Sequence, residues 1–380
     1  MAGIYLHIPF CKQKCHYCNF YSVASVKYRD VFVEALLKEM RLRKDYLNGQ
    51  PVQTVYFGGG TPSLLSIVEI QRITDEISYL FPLDPQAEMT LEANPDDLTA
   101  DYLLALQNET RINRLSLGVQ SFFDDDLKYL HRVHDARQAR RAIDAAQKAG
   151  FENMTIDLIY GIPTLTEEKW KKNLEIFFGY GIPHLSSYAL TVEAKTALQV
   201  LIEKQQRVDP EEEQMVRHFE ILLEQTGQHG FVQYEISNFA RPGFYSKHNS
   251  TYWLGGHYLG LGPSAHSFNG ISRQWNVRNL KQYVSSESVE KIVLEKEVLT
   301  ESQRYNEYVL TSLRTSWGCD TEHIRNGFGE RYVNDFLKKA AKFIRNDRMK
   351  NNGNRFVLTD RGKLFADGIA ADFFVDDGEL

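Results

Sequence analysis

The stretch GIYLHIPFCKQKCHYC, residues 3–18, sets a short β-rich run directly against three cysteines, Cys11, Cys15 and Cys18. Three thiolates in one short loop favour soft metals and iron–sulfur clusters. On a four-iron cube they leave one iron without a protein ligand, open to a small molecule. Structural zinc is the alternative reading; it takes four ligands, and His7 or His16 would supply the fourth. The remaining cysteine, Cys319, lies alone in a stretch read as helical and is expected to be a bystander. Four cysteines in 380 residues make no disulfide framework.

Outward from that opening, the run at 3–8 is the first of six, followed by 53–57, 88–92, 114–119, 154–159 and 184–190. Helix-length amphipathic stretches separate them at 28–46, 67–80, 101–107, 136–149 and 167–178. Strands alternating with helices argue for parallel βαβ units. The chemistry-bearing residues fall at strand ends: the cysteines after the first, GGGTP (58–62) after the second, and Glu92, Gln120 and Asp157 at or beyond the next three. That placement predicts an α/β fold built on a partial (β/α)6 barrel rather than a doubly wound open sheet.

Past residue 200 the alternation weakens. A charged helix at 210–225 leads into a Gly- and aromatic-rich stretch, 227–276, expected to hold ordered loops and short strands. A helical region begins near 301, and the tail 346–374 reads as a β pair turned at NNGN plus a final helix. The predicted domains are a barrel at 1–200, a linking region at 201–300, and a smaller α+β C-terminal domain with a winged-helix-like tail at 301–380. The acidic end, 372–380, is expected to be solvated.

Charge narrows the function. Lys+Arg number 44 against 50 Asp+Glu, a formal charge of -6. Without a basic excess or stripe, no nucleic acid partner is expected. Hydrophobic residues at 43% and a mean hydropathy of -0.40 fit a globular chain. No apolar run approaches the ~18 residues that span a bilayer, and no basic segment precedes an apolar one at the start. The expectation is a cytoplasmic location with no stable membrane insertion.

The cysteine spacing directly after a first strand, Tyr17 before the last cysteine, and GGGTP further on together resemble the radical S-adenosylmethionine (SAM) superfamily. There the open iron chelates the amino and carboxylate groups of SAM, and one electron from the cluster cleaves its carbon–sulfur bond. YLHIPFC at 5–11, GVQSF at 118–122, His131-Arg132, IDLIYGIP at 156–163 and LTDRG at 358–362 extend the likeness over nearly the whole chain. They are similar to the oxygen-independent coproporphyrinogen III oxidase family and its heme-chaperone branch, HemW. The resemblance implies a [4Fe-4S] cluster on Cys11, Cys15 and Cys18. It also implies SAM contacts at Tyr5, Tyr17, Gly59, Gly60, Thr61, Glu92, Gln120, Arg132 and Asp157. Carboxylates at Glu92 and Asp157 suit ribose hydroxyls or an ammonium, and Arg132 suits a carboxylate.

Three features turn the resemblance toward the chaperones. The oxidases carry CxxxCxxCxC, and Phe20 stands where the fourth cysteine would be. They also carry a segment ahead of the first strand, which here starts near residue 3. Finally, HNSTYW at 248–253 matches the HNxxYW pattern of HemW. An exposed His248 beside Tyr252 and Trp253 is then the expected axial ligand of heme. Heme or porphyrin, heme-accepting proteins and a reductant protein are the implied partners. Enzymatic activity stays open: the alternative is a coproporphyrinogen III dehydrogenase, decarboxylating propionates by radical oxidation. His266, near a predicted turn, either approaches the ligand site or stabilises that turn.

Overall fold

Side chains alternate across a strand, so a strand with helices on one face and a cavity on the other must alternate apolar with polar. The computed structural model describes residues 2–25 and 27–378 and shows this pattern. The chain runs β1 (Ala2–Ile8), α1 (Arg29–Leu42), β2 (Val52–Gly59), α2 (Ile67–Leu80), β3 (Leu83–Ala93), α3 (Ala100–Glu109) and β4 (Arg114–Gln120). It continues through α4 (Asp124–Leu130), α5 (Ala136–Lys148), β5 (Met154–Tyr160), α6 (Glu167–Gly179) and β6 (His184–Ala189). The six strands pair in parallel in sequence order. Ile4, Leu6, Phe57, Leu91, Leu117 and Ile156 are fully buried in one core with α1 residues Phe32 and Leu36 and α2 residues Ile70 and Ile73. On the opposite parity stand Tyr5, Tyr56, Glu92, Ser116 and Asp157, which line a cavity. The partial barrel is therefore apolar outside and polar inside.

Local signals fix some boundaries sharply. Ser66 caps α2: its backbone N–H donates to Glu69 Oε2 at 2.7 Å, and Glu69 N–H donates back to Ser66 Oγ at 3.3 Å. Such a reciprocal cap contributes about 1 kcal/mol and starts the helix at the residue the sequence predicts. The short helix α4 was not expected.

The segment from 201 to 300 widens the same sheet at both edges. After α7 (Ala197–Glu203) and α8 (Glu212–Gln228), β7 (Val232–Glu235) and β8 (Asn238–Ala240) join antiparallel beyond β6. Helix α9 (Lys247–Trp253) precedes β9 (His257–Leu261), which pairs in parallel with β1. β10 (His266–Phe268), β11 (Ser272–Asn276), α10 (Leu280–Ser285), α11 (Val289–Ile292) and β12 (Val293–Val298) follow. The result is an open 12-stranded sheet with β1 inside it, not a closed barrel.

A buried ion pair ties this extension to α1. Arg43, at the end of α1, donates to Glu39 at 3.2 Å, to the Gly260 carbonyl at 3.0 Å and to Ser267 Oγ at 3.0 Å. Glu39 accepts from Gly262 N–H at 2.8 Å, Asn276 Nδ2 at 2.7 Å and the Tyr283 hydroxyl at 2.7 Å. Both charges are thus fully dressed with hydrogen bonds in a buried place.

Residues 301–378 form a second core around Tyr305, Val309, Phe336, Phe356 and Phe373. Its elements are α12 (Glu301–Leu313), β13 (Cys319–Asp320), α13 (Thr321–Phe328), α14 (Glu330–Arg345), β14 (Met349–Asn352), β15 (Arg355–Leu358), α15 (Asp360–Lys363) and α16 (Ala366–Ala371). The β14–β15 hairpin turns at Gly353, φ 73°. Two expectations need correction here. Cys319 sits on a strand, not in a helix, with burial pushing its thiol pKa up. The acidic end is not solvated throughout: Phe373 and Val375 are buried, and Val375 N–H donates to Asn306 Oδ1 at 2.9 Å. Residues 379–380 of that end lie outside the described residues. Among the described residues no helix is long and apolar enough to cross a membrane.

Candidate cluster and cofactor site

The loop after β1 is closed by its own backbone: Val23 N–H donates to the Pro9 carbonyl at 2.7 Å, and Cys11 N–H to the Val23 carbonyl at 3.1 Å. Lys12 clamps it to Asp96 at 2.9 Å and also pairs with Asp97. Cys11, Cys15 and Cys18 are free and half-buried. Burial raises the thiol pKa of Cys11 and Cys18, so a metal or a cation is needed to hold them as thiolates. Arg132 sets one cation beside the loop: its guanidinium lies 3.3 Å from Cys15 Sγ and donates to Asn94 Oδ1 at 2.6 Å and the Gly118 carbonyl at 2.8 Å. Burial opposes the charge of Arg132, but Tyr17 and Cys15 outweigh it and its pKa rises. Its Nε is buried with no partner among the described residues, an open donor for an anionic group.

The zinc reading loses its fourth ligand. His7 Nε2 bonds the Tyr21 carbonyl at 2.8 Å and its Nδ1 meets the Tyr5 hydroxyl at 3.1 Å. His16 stacks on His131 with centroids 4.1 Å apart; its Nδ1 has no partner among the described residues, but the residue does not line the cleft that the cysteines face. The donor set that faces the cleft is three thiols with an adjacent guanidinium, which fits a cluster with one open iron.

Opposite the cysteines, β2 ends in bare backbone. Gly59 has φ +109°, and a Cβ there would meet the His7 ring at 2.7 Å. Gly60 N–H donates to the Ile8 carbonyl at 2.8 Å, and a Cβ on it would lie 2.6 Å from the Phe10 carbonyl oxygen. The glycines are required for β1 and β2 to close together beneath the loop. Thr61 Oγ1 accepts from Asn94 Nδ2 at 3.0 Å. Gln120, at the end of β4, adopts φ 66°, a left-handed conformation that costs a side-chain-bearing residue about 1–3 kcal/mol and marks a constrained site.

Two carboxylates project from β3 and β5, on either side of β4. Glu92 accepts from the Tyr56 hydroxyl at 2.8 Å and from Gly59 N–H at 3.2 Å, while Asp157 accepts from Ser116 Oγ at 3.3 Å. Burial raises the pKa of Glu92 against those hydrogen bonds. Burial, then the charge of Glu92, lifts Asp157 from 3.8 to about 7, opposed by Ser186 and Ser116. Below about pH 4 Asp157 is protonated whether the chain is folded or not. Between about pH 4 and about pH 7 the folded chain keeps a proton that the unfolded chain releases, so stability from this group declines as pH rises through that window. In urea titrations the wild type is expected to lose about 2–3 kcal/mol between pH 5 and pH 8 that Asp157→Asn keeps. Parallel pH profiles for the two proteins would show that Asp157 ionises freely.

The cleft of about 390 Å³ brings together Cys11, Cys15, Cys18, Tyr17, Gly59, Gly60, Thr61, Glu92, Gln120, Arg132 and Asp157. Tyr5 lies outside it, on an adjoining chamber of about 300 Å³ that shares Glu92 and Asp157 with the cleft and also holds His248. Sequence reasoning missed Asn94, Ser116, Gly118 and Tyr188 on the cleft wall. Their signal was strand alternation: Arg114, Ser116, Gly118 and Gln120 share one parity, as do His184, Ser186 and Tyr188.

His248 differs from expectation. It is not an exposed loop residue but a buried one on α9, 1% accessible. Glu88 holds the start of that helix, accepting from Lys247 N–H at 3.1 Å and His248 N–H at 3.0 Å. His248 Nδ1 meets Thr54 Oγ1 at 2.8 Å and its Nε2 meets the Tyr252 hydroxyl at 2.8 Å. In this arrangement neither ring nitrogen is free to coordinate iron. Burial, then Arg114, lowers its pKa to about 3, so the ring is neutral.

The radical SAM superfamily model matches residues 5–177, covering β1 to α6, and the HemN C-terminal domain model matches residues 299–365, within the second core. The solved structure of coproporphyrinogen III oxidase (HemN) from Escherichia coli, a radical SAM enzyme, superposes with a TM-score of 0.83 over 98% of this chain and 90% of that one, at 24% identity. Residues 5–177 thus match the class of radical SAM proteins, and the whole chain shares the fold of one. Heme chaperone HemW of Bacillus subtilis is 35% identical with both chains covered in full. HemW of Lactococcus lactis is 33% identical over 98% of this chain and 97% of its own. The chain belongs to the HemW family.

Proposed function

We propose that this chain is a heme chaperone on a radical SAM scaffold, binding heme and passing it to heme-accepting proteins, with a [4Fe-4S] cluster and SAM as resident cofactors. The full-length similarity to HemW proteins carries the reading. Phe20 supports it: at the place of the oxidases' fourth cysteine it stands 64% exposed, on the rim of both cavities. Cys11, Cys15 and Cys18 hold the cluster, which supplies an open iron for SAM and an electron from a reductant protein. Arg132 pairs with a carboxylate through its unpartnered Nε, and Glu92 and Asp157 accept from an ammonium or ribose hydroxyls. Gly59, Gly60 and Thr61 let backbone approach the ligand, with Tyr5, Tyr17 and Gln120 completing the wall. A cytoplasmic site of action belongs to the same proposal.

Anaerobically purified protein is expected to bind hemin with a shifted Soret band and to surrender it to an apo b-type cytochrome. It is expected to form no protoporphyrinogen from coproporphyrinogen, SAM and reductant. Absence of hemin binding together with protoporphyrinogen formation would overturn the chaperone reading in favour of the dehydrogenase.

A further inference from the structure

The two cores of the chain meet at a short turn, and that turn borders a cavity with no part in the cluster site. Residues 315–318 leave α12 and run against the edge of the large sheet. Thr315 forms an isolated antiparallel bridge with Glu235, and Ser316 N–H donates to the Tyr234 carbonyl at 3.0 Å. Trp317 packs beside the Tyr234 and Tyr245 rings, with centroids 6.0 and 6.1 Å away. The cavity, about 300 Å³, is lined by β7 from the large sheet and by β14, β15 and α15 from the second core.

Part of its lining is aliphatic, from Ile236, Leu313 and Val357. The charged part sets three cations, Arg314, Lys350 and Lys363, against two carboxylates. Both carboxylates are engaged: Glu235 accepts from Asn238 Nδ2 and from Ser237 N–H at 3.1 Å, and Asp360 accepts from Lys363 at 2.8 Å. Lys350 is exposed and pairs with no described carboxylate. Arg314 commits one terminal nitrogen to Asp367, yet its Nε is buried without a partner among the described residues. A guanidinium N–H can only donate, and leaving it unmet in a buried place costs about 1–3 kcal/mol. Gln233 Oε1, in the same lining, is a buried acceptor in the same state.

The unmet groups are thus two cationic donors and one neutral acceptor. A metal ion is repelled by the first two. A phosphate ester bearing a hydroxyl satisfies all three: its anionic oxygens accept from the guanidinium and the ammonium, and its hydroxyl donates to Gln233.

The seam also holds α9 at both ends. Ser246 N–H, at the start of that helix, donates to the Tyr234 hydroxyl at 3.3 Å. The Arg314 guanidinium lies 5.3 Å over the ring of Trp253, the last residue of the helix. A ligand that engages Arg314 therefore acts on the end of α9.

We infer that the seam cavity binds a small hydroxylated organic phosphate through Arg314 and Lys350, and that its occupancy is sensed at α9 through Trp253. Neither heme nor the cluster is required for this binding. Glycerol 3-phosphate titrated into the full chain at constant ionic strength is expected to give a saturable heat and a change in tryptophan fluorescence. Arg314→Gln and Lys350→Gln are each expected to weaken binding by about tenfold, the loss of one charge-assisted hydrogen bond. Because Lys350 is exposed, Lys350→Gln is expected to keep the melting temperature of the unliganded protein, which separates lost binding from a loosened seam. Trp253→Phe is expected to keep the heat and lose most of the fluorescence change. No saturable heat with the wild type, unchanged affinity in Lys350→Gln, or equal affinity for glycerate would overturn the phosphate site. A full fluorescence change in Trp253→Phe would overturn the link to α9.

Discussion

Arg43→Ala is expected to destabilise the protein by about 3–5 kcal/mol, the range for removing one partner of a buried ion pair. The magnitude follows from what is left behind. Glu39 would be left in a buried place with three neutral donors, Gly262 N–H, Asn276 and Tyr283, but no cation. At the same time the Gly260 carbonyl and Ser267 Oγ would each lose a charged donor, while keeping their bonds to one another. Against a typical total of about 5–15 kcal/mol this is a large share. Urea denaturation followed by circular dichroism reads it directly. The loss is expected to concentrate where Arg43 reaches, so amide exchange in β9, β10 and β11 is expected to quicken more than in β4 and β5. A shift in stability below about 1 kcal/mol would mean that the network contributes little beyond its desolvation cost.

Cys15→Ala is expected to empty the cluster site. Only three thiols face the cleft, and two cannot grip a cube that keeps one iron open. Iron and sulfide analysis of anaerobically reconstituted protein is expected to fall from about four of each per chain to background, with loss of the broad visible absorption. The fold is expected to survive, because Cys15 is half-buried and makes no core contact. Full iron content in the variant would remove Cys15 from the ligand set. A single zinc and no iron in the wild type would end the radical SAM reading of this chain.

How much of this was legible depended on how far apart in sequence the deciding groups lie. Helix α2 was readable to its ends because Ser66 and Glu69 settle its start within four residues. The cluster loop and the glycine turn were readable because their chemistry is contiguous. His248 was not: its burial is decided by Thr54 on β2 and by Glu88 on β3, 194 and 160 residues away, which no local pattern carries. The antiparallel strands β10 to β12 are three to six residues long, too short for a period to show. The acidic end misled for a related reason, since Phe373 and Val375 enter a core assembled by helices far upstream. Strand parity was the unused signal, and it would have named Ser116, Ser186 and Tyr188 from sequence.

The sheet's first strand in sequence is completed by one of its last. β1 accepts β2 early on one side, but its other neighbour, β9, begins at residue 257. Until then the segment leading into the cysteines carries an unprotected edge of backbone donors and acceptors, a template for mispairing with other nascent chains. The loop that carries Cys11, Cys15 and Cys18 is therefore rooted in a strand paired on both sides only once residues 257–261 have joined it.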